Sequence, residues 1–357
     1  MKKITSMILA LVFAVSVIGS ASAKTLKIQL TFPKTSYDGQ IVKMWTDRVT
    51  KLTRGELKFE LLSKGEVVGM KETLEAVDKG LVDGGAAWTH YWSNYHPAAM
   101  LFGSPVAGGG IGLSTKSWLA WYFDNGGKEL YDQLWSEMGM NVKGFVMASS
   151  GPEALGWFKE PIKNMDDFRK YRFRTPPGIP GQTYKDIGIA SVSLSGGDIL
   201  PALEKGTIDA AEWCCPKPDS VFGFQKVLKN YYLQGLHQNV VNGDIYINGD
   251  VYNSLTDHQK YAMEVASEAM ITRNITNRAV ENGKALIDLT QNHGVKLWDT
   301  PADYFTEYMN AAQATLKKNA ASNAFFKEVY EHMLSLIHIS EPTRRYAISY
   351  AVFCLKK

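Results

Sequence analysis

Apolar and polar positions alternate at Leu26, Ile28, Leu30 and Phe32, the period-two pattern of a strand. The pattern then changes. Ile41, Met44, Trp45, Val49 and Leu52 fall at helical spacing within 36–54, with Gly55 just beyond as a stop. Leu57, Phe59 and Leu61 alternate again, and a helix over 70–79 and a strand over 81–86 follow. Strand–helix–strand–helix–strand opens a parallel α/β sheet. Further on, 114–139 reads as an aromatic-rich helix broken at Gly126-Gly127, and 141–147 as a strand crossing into a second unit. Strands are expected at 153–158, 171–175 (stopped by Pro176-Pro177), 190–194, 231–234 and 244–248. Helical segments are expected at 166–169, 182–188 and 221–228. Thr256 and Gln259 are spaced as a capping box, opening a helix that runs to about Asn292, and 302–334 is further helix.

One phrase occurs twice. Asp198 to Leu203 reads as a helix, Gly206 ends it, and the short apolar strand 207–210 delivers Glu212 and Trp213 at its exit. Residues 74–85 repeat that order: helix, Lys-Gly, one residue, a β-branched residue, Asp, then two small residues. Two copies suggest two lobes built on one plan, although helix–Gly–strand is also ordinary α/β grammar. Strand exits in open α/β sheets face a ligand crevice, so 205–216 is read as one wall of a small-molecule cleft. The first copy carries alanine where the second has Glu212, which assigns the specific chemistry to the second lobe.

The ends change the charge reading. Lys2-Lys3, the apolar run from Met7 to Ile18 and Ala21-Ser22-Ala23 form a secretory leader, 1–23, too short to span a bilayer comfortably. The far end, 334–357, resembles a translated sequencing adapter and is read as an artefact. The whole chain has a formal charge of +3; without the six lysines and arginines and the one glutamate of these ends it is −2. Apparent basicity is therefore no sign of nucleic acid or anionic membrane as a partner.

Chemistry-bearing residues are few. Aromatics make up 11% of the chain, with nine tryptophans, consistent with a cleft that stacks ligands. The aromatic segment 87–97, with Trp88 and Tyr91, follows a strand exit; it lines a pocket or packs under a loop. The glycine-rich stretch 103–112 lacks a P-loop ending and a dinucleotide context, and reads as a hinge or surface turn. Of three cysteines Cys354 lies in the suspect tail; a bridge between the adjacent Cys214-Cys215 needs a strained ring and a distorted peptide, so the pair reads as two small buried side chains. His90, His96 and His237 show no ligand spacing around them.

Several motifs occur in a specific order: Tyr91-Trp92 with His96-Pro97-Ala98, Gly156-Trp157-Phe158, Phe173-Arg174, Gly196-Gly197-Asp198-Ile199, 206–213, and Lys226 with Tyr231-Tyr232. Together they resemble the solute-receptor subunit of tripartite ATP-independent periplasmic (TRAP) transporters, the DctP-like family, over roughly 26–292. The similarity is greatest to the branch binding 2-oxo or 2-hydroxy monocarboxylates with a metal ion. The resemblance implies an α/β, two-lobed periplasmic-binding-protein fold, type II-like, with a long helix bridging both lobes. Its expected division is 24–147 plus about 240–292 for lobe I, 148–239 for lobe II, and 293–333 for C-terminal helices.

The resemblance also implies roles. Arg174 matches the carboxylate-binding arginine, whose planar guanidinium suits a bidentate clamp. Glu212 and the Trp213 carbonyl match metal ligands, and hard oxygen donors suit Na+ or Ca2+; taken alone, Glu212 is as readily a structural ion-pair partner. The family's pocket glutamine falls on Glu153, which would place two carboxylates in one site and favour calcium, a protonated carboxyl or an amino-bearing ligand. Tyr91, Trp88, Trp157 and Trp213 are the expected walls. The implied protein is a periplasmic receptor, not an enzyme, that delivers a small organic acid to TRAP membrane subunits, with its oligomeric state open. The alternatives are a secreted enzyme using Glu153 and Glu212 as an acid/base pair, a receptor for an amino-bearing acid, and an extracytoplasmic sensor domain.

Overall fold

The computed structural model describes residues 23–194 and 196–340. The leader before residue 23 and the tail beyond residue 340, with Cys354, lie outside the described residues. In chain order the strands are β1 (Lys24–Leu30), β2 (Leu57–Leu62), β3 (Gly84–Trp88), β4 (Val142–Ser150), β5 (Gly156–Phe158), β6 (Arg172–Arg174), β7 (Ala190–Val192), β8 (Ala210–Ala211), β9 (Asn230–Tyr232), β10 (Val241–Asn248) and β11 (Lys296–Trp298). They form two mixed sheets, ordered β2-β1-β3-β10-β4 and β11-β9-β5-β8-β6-β7. In the first, β1 is parallel to β2 and β3, while β10 runs antiparallel between β3 and β4. The chain leaves along β4 and returns along β10, its neighbour. The excursion between them builds most of the second sheet, in which β6 is parallel to β7 and β8, and β5 antiparallel to β8 and β9.

A single helix, Asp257–Asn292, ties the sheets together. Thr256 caps it reciprocally with Gln259, as the spacing predicts. Met263, Ala266 and Met270 pack with Leu26, Trp45 and Ile245 of the first unit, and Leu289 packs with Trp157, Phe224 and Tyr231 of the second. A third apolar cluster spans both units, joining Trp92, Trp118 and Trp121 to Phe158, Tyr184, Tyr304 and Met333. The last two come from helices Ala302–Ser322 and Ala324–Ser340.

The internal repeat is real down to its hydrogen bonds. Gly80 and Gly206 both have positive φ (69° and 67°), which stops each helix without a Cβ penalty. Leu81 N donates to Ala76 O as Thr207 N donates to Ala202 O, each at 2.9 Å. The aspartates then behave alike: Asp83 N donates to Lys27 O and Asp209 N to Arg172 O, both at 3.0 Å. In return each carboxylate accepts the partner strand's amide, from Lys27 N and Arg172 N. The phrase thus locks an incoming strand parallel to its neighbour in both sheets.

Two expectations need correction. The glycine-rich stretch is not a surface turn: residues 103–110 are buried. Ala107 and Gly108–Gly110 all take positive φ, and Gln313 of the helix Ala302–Ser322 donates to Gly110 O at 2.7 Å. A Cβ at Gly109 would stand 2.7 Å from Met333 Cε, so the glycines serve close packing. The strand expected at 207–210 is only Ala210–Ala211, because its neighbours β5 and β6 are three residues long.

Asp244 of β10 is fully buried at the β-bulge between Gly243 and Asp244. Its Oδ2 accepts from Thr89 Oγ1 (2.9 Å) and Tyr131 OH (2.8 Å), while Oδ1 has no partner. Burial pushes its pKa up to about 7. The folded state therefore binds a proton that the unfolded state releases near pH 4, so stability falls as pH rises from about 4 through 7. Denaturant unfolding across that range should lose on the order of 4 kcal/mol through this group, and Asp244→Asn should flatten the slope; an unchanged slope in the variant would refute the assignment.

Candidate functional site

The site grows from the exits of β6 and β8, which lie side by side with Arg174 opposite Ala211. Arg174 is 5% exposed. Its Nε and Nη2 donate to Leu194 O (3.1 and 3.0 Å), and its Nη1 donates to Glu212 O at 3.0 Å and to the Glu212 carboxylate Oε1. The guanidinium also lies over the Trp213 ring, 5.1 Å from its centroid. Trp213 is held by Phe222, 4.7 Å between centroids, and approaches Gly196 so closely that a Cβ there would sit 2.7 Å from Cη2. The glycine pair before Asp198 thereby acquires a reason.

Glu153 arrives from the connection after β4. Its amide donates to Gln238 O (3.0 Å), and the next amide, Ala154 N, donates to Cys214 O (2.9 Å). This staples the segment to the exit of β8. Between the two carboxylates stands His237. Its Nε2 is 3.9 Å from Glu153 Oε2 and 3.5 Å from Glu212 Oε2. These separations are too long for hydrogen bonds, and all three atoms are buried without a partner. On the far side of the ring, Nδ1 pairs with Tyr184 OH at 3.2 Å, and Tyr184 OH with Tyr304 OH at 3.2 Å. That arrangement aims Nε2 at the carboxylates, the pattern by which an outer hydroxyl orients a metal-ligating histidine. Glu153, Glu212 and His237 offer ligand atoms within 4.8 Å of one another. The donor set fits a cation: two carboxylates and an imidazole, buried, unsatisfied and converging.

Electrostatics agree. Burial, and next the Glu212 charge, push the Glu153 pKa well above the usual carboxylate range, opposed by the Cys214 thiol and Arg278. Tyr91 is also raised by burial first and by Asp38 second, with Arg174 acting in the opposite sense. Tyr91 thus stands among the charges of the site. Trp88 lines a narrow crevice with Asp38 and Arg278. A larger cavity of about 530 Å3 is lined by Glu153, Cys214, Cys215, Lys116, Arg278 and Asn282 among others. Trp157 is placed elsewhere: it is fully buried, stacks on Tyr231 at 4.0 Å and donates from Nε1 to Asp219. It packs the core of the second sheet and forms no cleft wall.

The model of the bacterial extracellular solute-binding proteins of family 7, DctP, matches residues 30–323. The chain belongs to the DctP family. Members of this family are periplasmic receptors of TRAP transporters; they bind small organic acids and pass them to membrane subunits. The chain is 32% identical over 291 residues (80% of this chain, 76% of the relative) to a monocarboxylate 2-oxoacid-binding periplasmic protein of Nostoc sp.. Its DctP fold superposes on a TRAP solute-binding protein of Bordetella bronchiseptica with calcium and picolinate bound (TM-score 0.81, 24% identity, 94% of this chain and 99% of that one). A Pseudoalteromonas atlantica protein with sodium and pyruvate gives 0.82 at 20% identity, covering 93% and 99%.

Two residues of this candidate site carry no signal in the sequence. His237 has no ligand spacing around it, yet the cluster is assembled from three distant segments, so spacing carries no signal. Arg278 sits mid-helix and fully inside. It donates to Asp38 (3.2 Å), contacts both cysteine sulfurs and lies over the Tyr37 ring at 4.8 Å. Only an inward-facing charge on an otherwise amphipathic helix could have marked it.

Proposed function

We propose that the chain is an extracytoplasmic receptor capturing a 2-oxo or 2-hydroxy monocarboxylate together with a metal ion, sodium or calcium, for delivery to TRAP membrane subunits. The observation that carries this reading is the trio of buried, partnerless donor atoms on Glu153, Glu212 and His237 beside Arg174. Glu153, Glu212, His237 and the Trp213 carbonyl would hold the ion. When bound, it would neutralise the two carboxylates and polarise the ligand's 2-oxo or 2-hydroxy oxygen. Arg174 would orient the ligand carboxylate. Its contacts to Leu194 O are structural, whereas its contact to the Glu212 side chain is one that a ligand carboxylate can replace. Trp213 and Tyr91 would flank the ligand, with Trp88 covering from the first lobe, taken as 24–147 plus about 240–292; 148–239 would form the second. Hinge closure then follows from the ligand's preference for the closed state.

The pair of carboxylates supports a second reading, an amino-bearing acid whose ammonium replaces the ion. A thermal-shift series with pyruvate, lactate and amino acids, each with sodium, calcium or chelator, separates the two. Pyruvate at a hundredfold its Kd should stabilise by about 2.7 kcal/mol with metal and not with chelator. An amino acid stabilising equally in chelator would favour the second reading, and turnover of any ligand would remove both.

A further inference from the structure

Cys214 and Cys215 take no part in the ligand chemistry above. The fold nevertheless brings their sulfurs to 2.7 Å, against about 2.05 Å in a disulfide. Asp219 sets this geometry: its Oδ1 accepts from Cys214 N (3.0 Å) and Cys215 N (3.1 Å). Its Oδ2 is held in turn by Trp157 Nε1 and Tyr231 OH, both at 2.9 Å. Pro216 opens the helix Pro216–Phe222 immediately afterwards and fixes the direction of the chain. Arg278 Nη1 lies 3.4 Å from each sulfur. Cys214 is half-buried, Cys215 is buried, and both line the cavity of about 530 Å3. A small disulfide-bearing molecule therefore has a route to the pair.

We propose that Cys214 and Cys215 are a redox modification site, a vicinal dithiol that closes to a disulfide at the expense of a disulfide oxidant. One of the two sulfurs, as the thiolate, attacks the oxidant's S–S bond, forming a mixed disulfide and releasing one oxidant thiol. The neighbouring cysteine sulfur then attacks the sulfur that carries the adduct, closing the new bond and releasing the second thiol. Two thiol hydrogens and two electrons pass from the protein to the oxidant, and no other reactant is needed. The compartment of the family, outside the cytoplasm, is one where disulfides persist. A consequence for the ligand rests on the receptor reading. Cys214 O holds Ala154 N at 2.9 Å, next to Glu153, and Glu153 and Cys214 line the same cavity. Closing the bond removes the Cys214 S–H from that wall and draws its sulfur towards Cys215.

The full chain, incubated with oxidised glutathione and then with N-ethylmaleimide, would be mapped by peptide mass spectrometry. The expected peptide carries Cys214 and Cys215 unalkylated and lighter by two hydrogens, reverting on reduction. Alkylation of both, a lasting glutathione adduct on either cysteine or a crosslink to Cys354 would overturn the site; none of these readouts needs a ligand. Calorimetry with pyruvate and calcium supplies the second arm. Affinity should differ several-fold between oxidised and reduced wild type and be insensitive to reductant in C214S/C215S. Equal affinities with the bond formed would overturn the link to Glu153.

Discussion

Arg174→Ala should abolish binding of every carboxylate ligand, with affinity falling more than about a hundredfold by calorimetry, as expected when a buried charge-assisted pair is removed. The residue is nearly fully buried, and its Nη1 is the cation in contact with the Glu212 carboxylate. Removing it strands that carboxylate beside a second one and leaves Leu194 O without a donor. Breaking a buried pair from one side costs about 3–5 kcal/mol, so the variant should also melt earlier. Arg174→Lys separates the two effects. An ammonium keeps the charge near Glu212 but cannot form the planar fork, so stability should recover further than affinity. Pyruvate binding by Arg174→Ala at wild-type strength would refute the clamp.

Glu153→Gln should act in the opposite sense on stability. The carboxyl is 5% exposed, and burial and Glu212 both oppose its ionisation. A neutral isostere removes the repulsion, and the metal-free protein should gain about 1 kcal/mol, as when a buried polar group is better matched to its surroundings. The cation site loses one of two negative charges. Because charge count tunes affinity for hard divalent ions, calcium binding should weaken by roughly tenfold or more, about 1.4 kcal/mol per decade, while sodium-supported ligand binding survives. Calcium titration of the two proteins decides: equal affinity would mean Glu153 does not ligate.

These expectations rest on residues the sequence disclosed unevenly. The long helix was legible because its signals are local: a capping box at Thr256 and Gln259 and apolar residues at helical spacing. The twin Lys-Gly-x-x-Asp phrases were legible for the same reason, since each encodes a helix stop and an aspartate that seizes the neighbouring strand. Strands of two or three residues were drawn too long, because their length is set by partners far away in sequence. Residues 103–112 misled because glycine signals a turn locally, while only helices two hundred residues later reveal that it is buried. The tryptophans misled too: six are fully buried, so their number reflects core packing more than ligand stacking. His237 shows the limit most plainly, as its meaning lies wholly in side chains contributed by other segments.

The placement of β10 has a kinetic consequence. It fills the gap between β3 and β4, yet it is synthesised only after the whole excursion that separates it from β4. A growing chain therefore carries two unfinished sheet edges, one reading Gly-Gly-Ala-Ala-Trp and the other Val-Lys-Gly-Phe-Val-Met-Ala-Ser-Ser. Such edges recruit other strands and invite aggregation. The stretch from β5 to β9 is contiguous and can mature on its own schedule, whereas the opening sheet must wait for a distant return strand. Pulse-labelled hydrogen exchange during refolding should find amides of β5 and β9 protected before those of β3. A holdase that shields β3 and β4 until residue 248 has emerged would then raise the yield of native receptor without altering its stability.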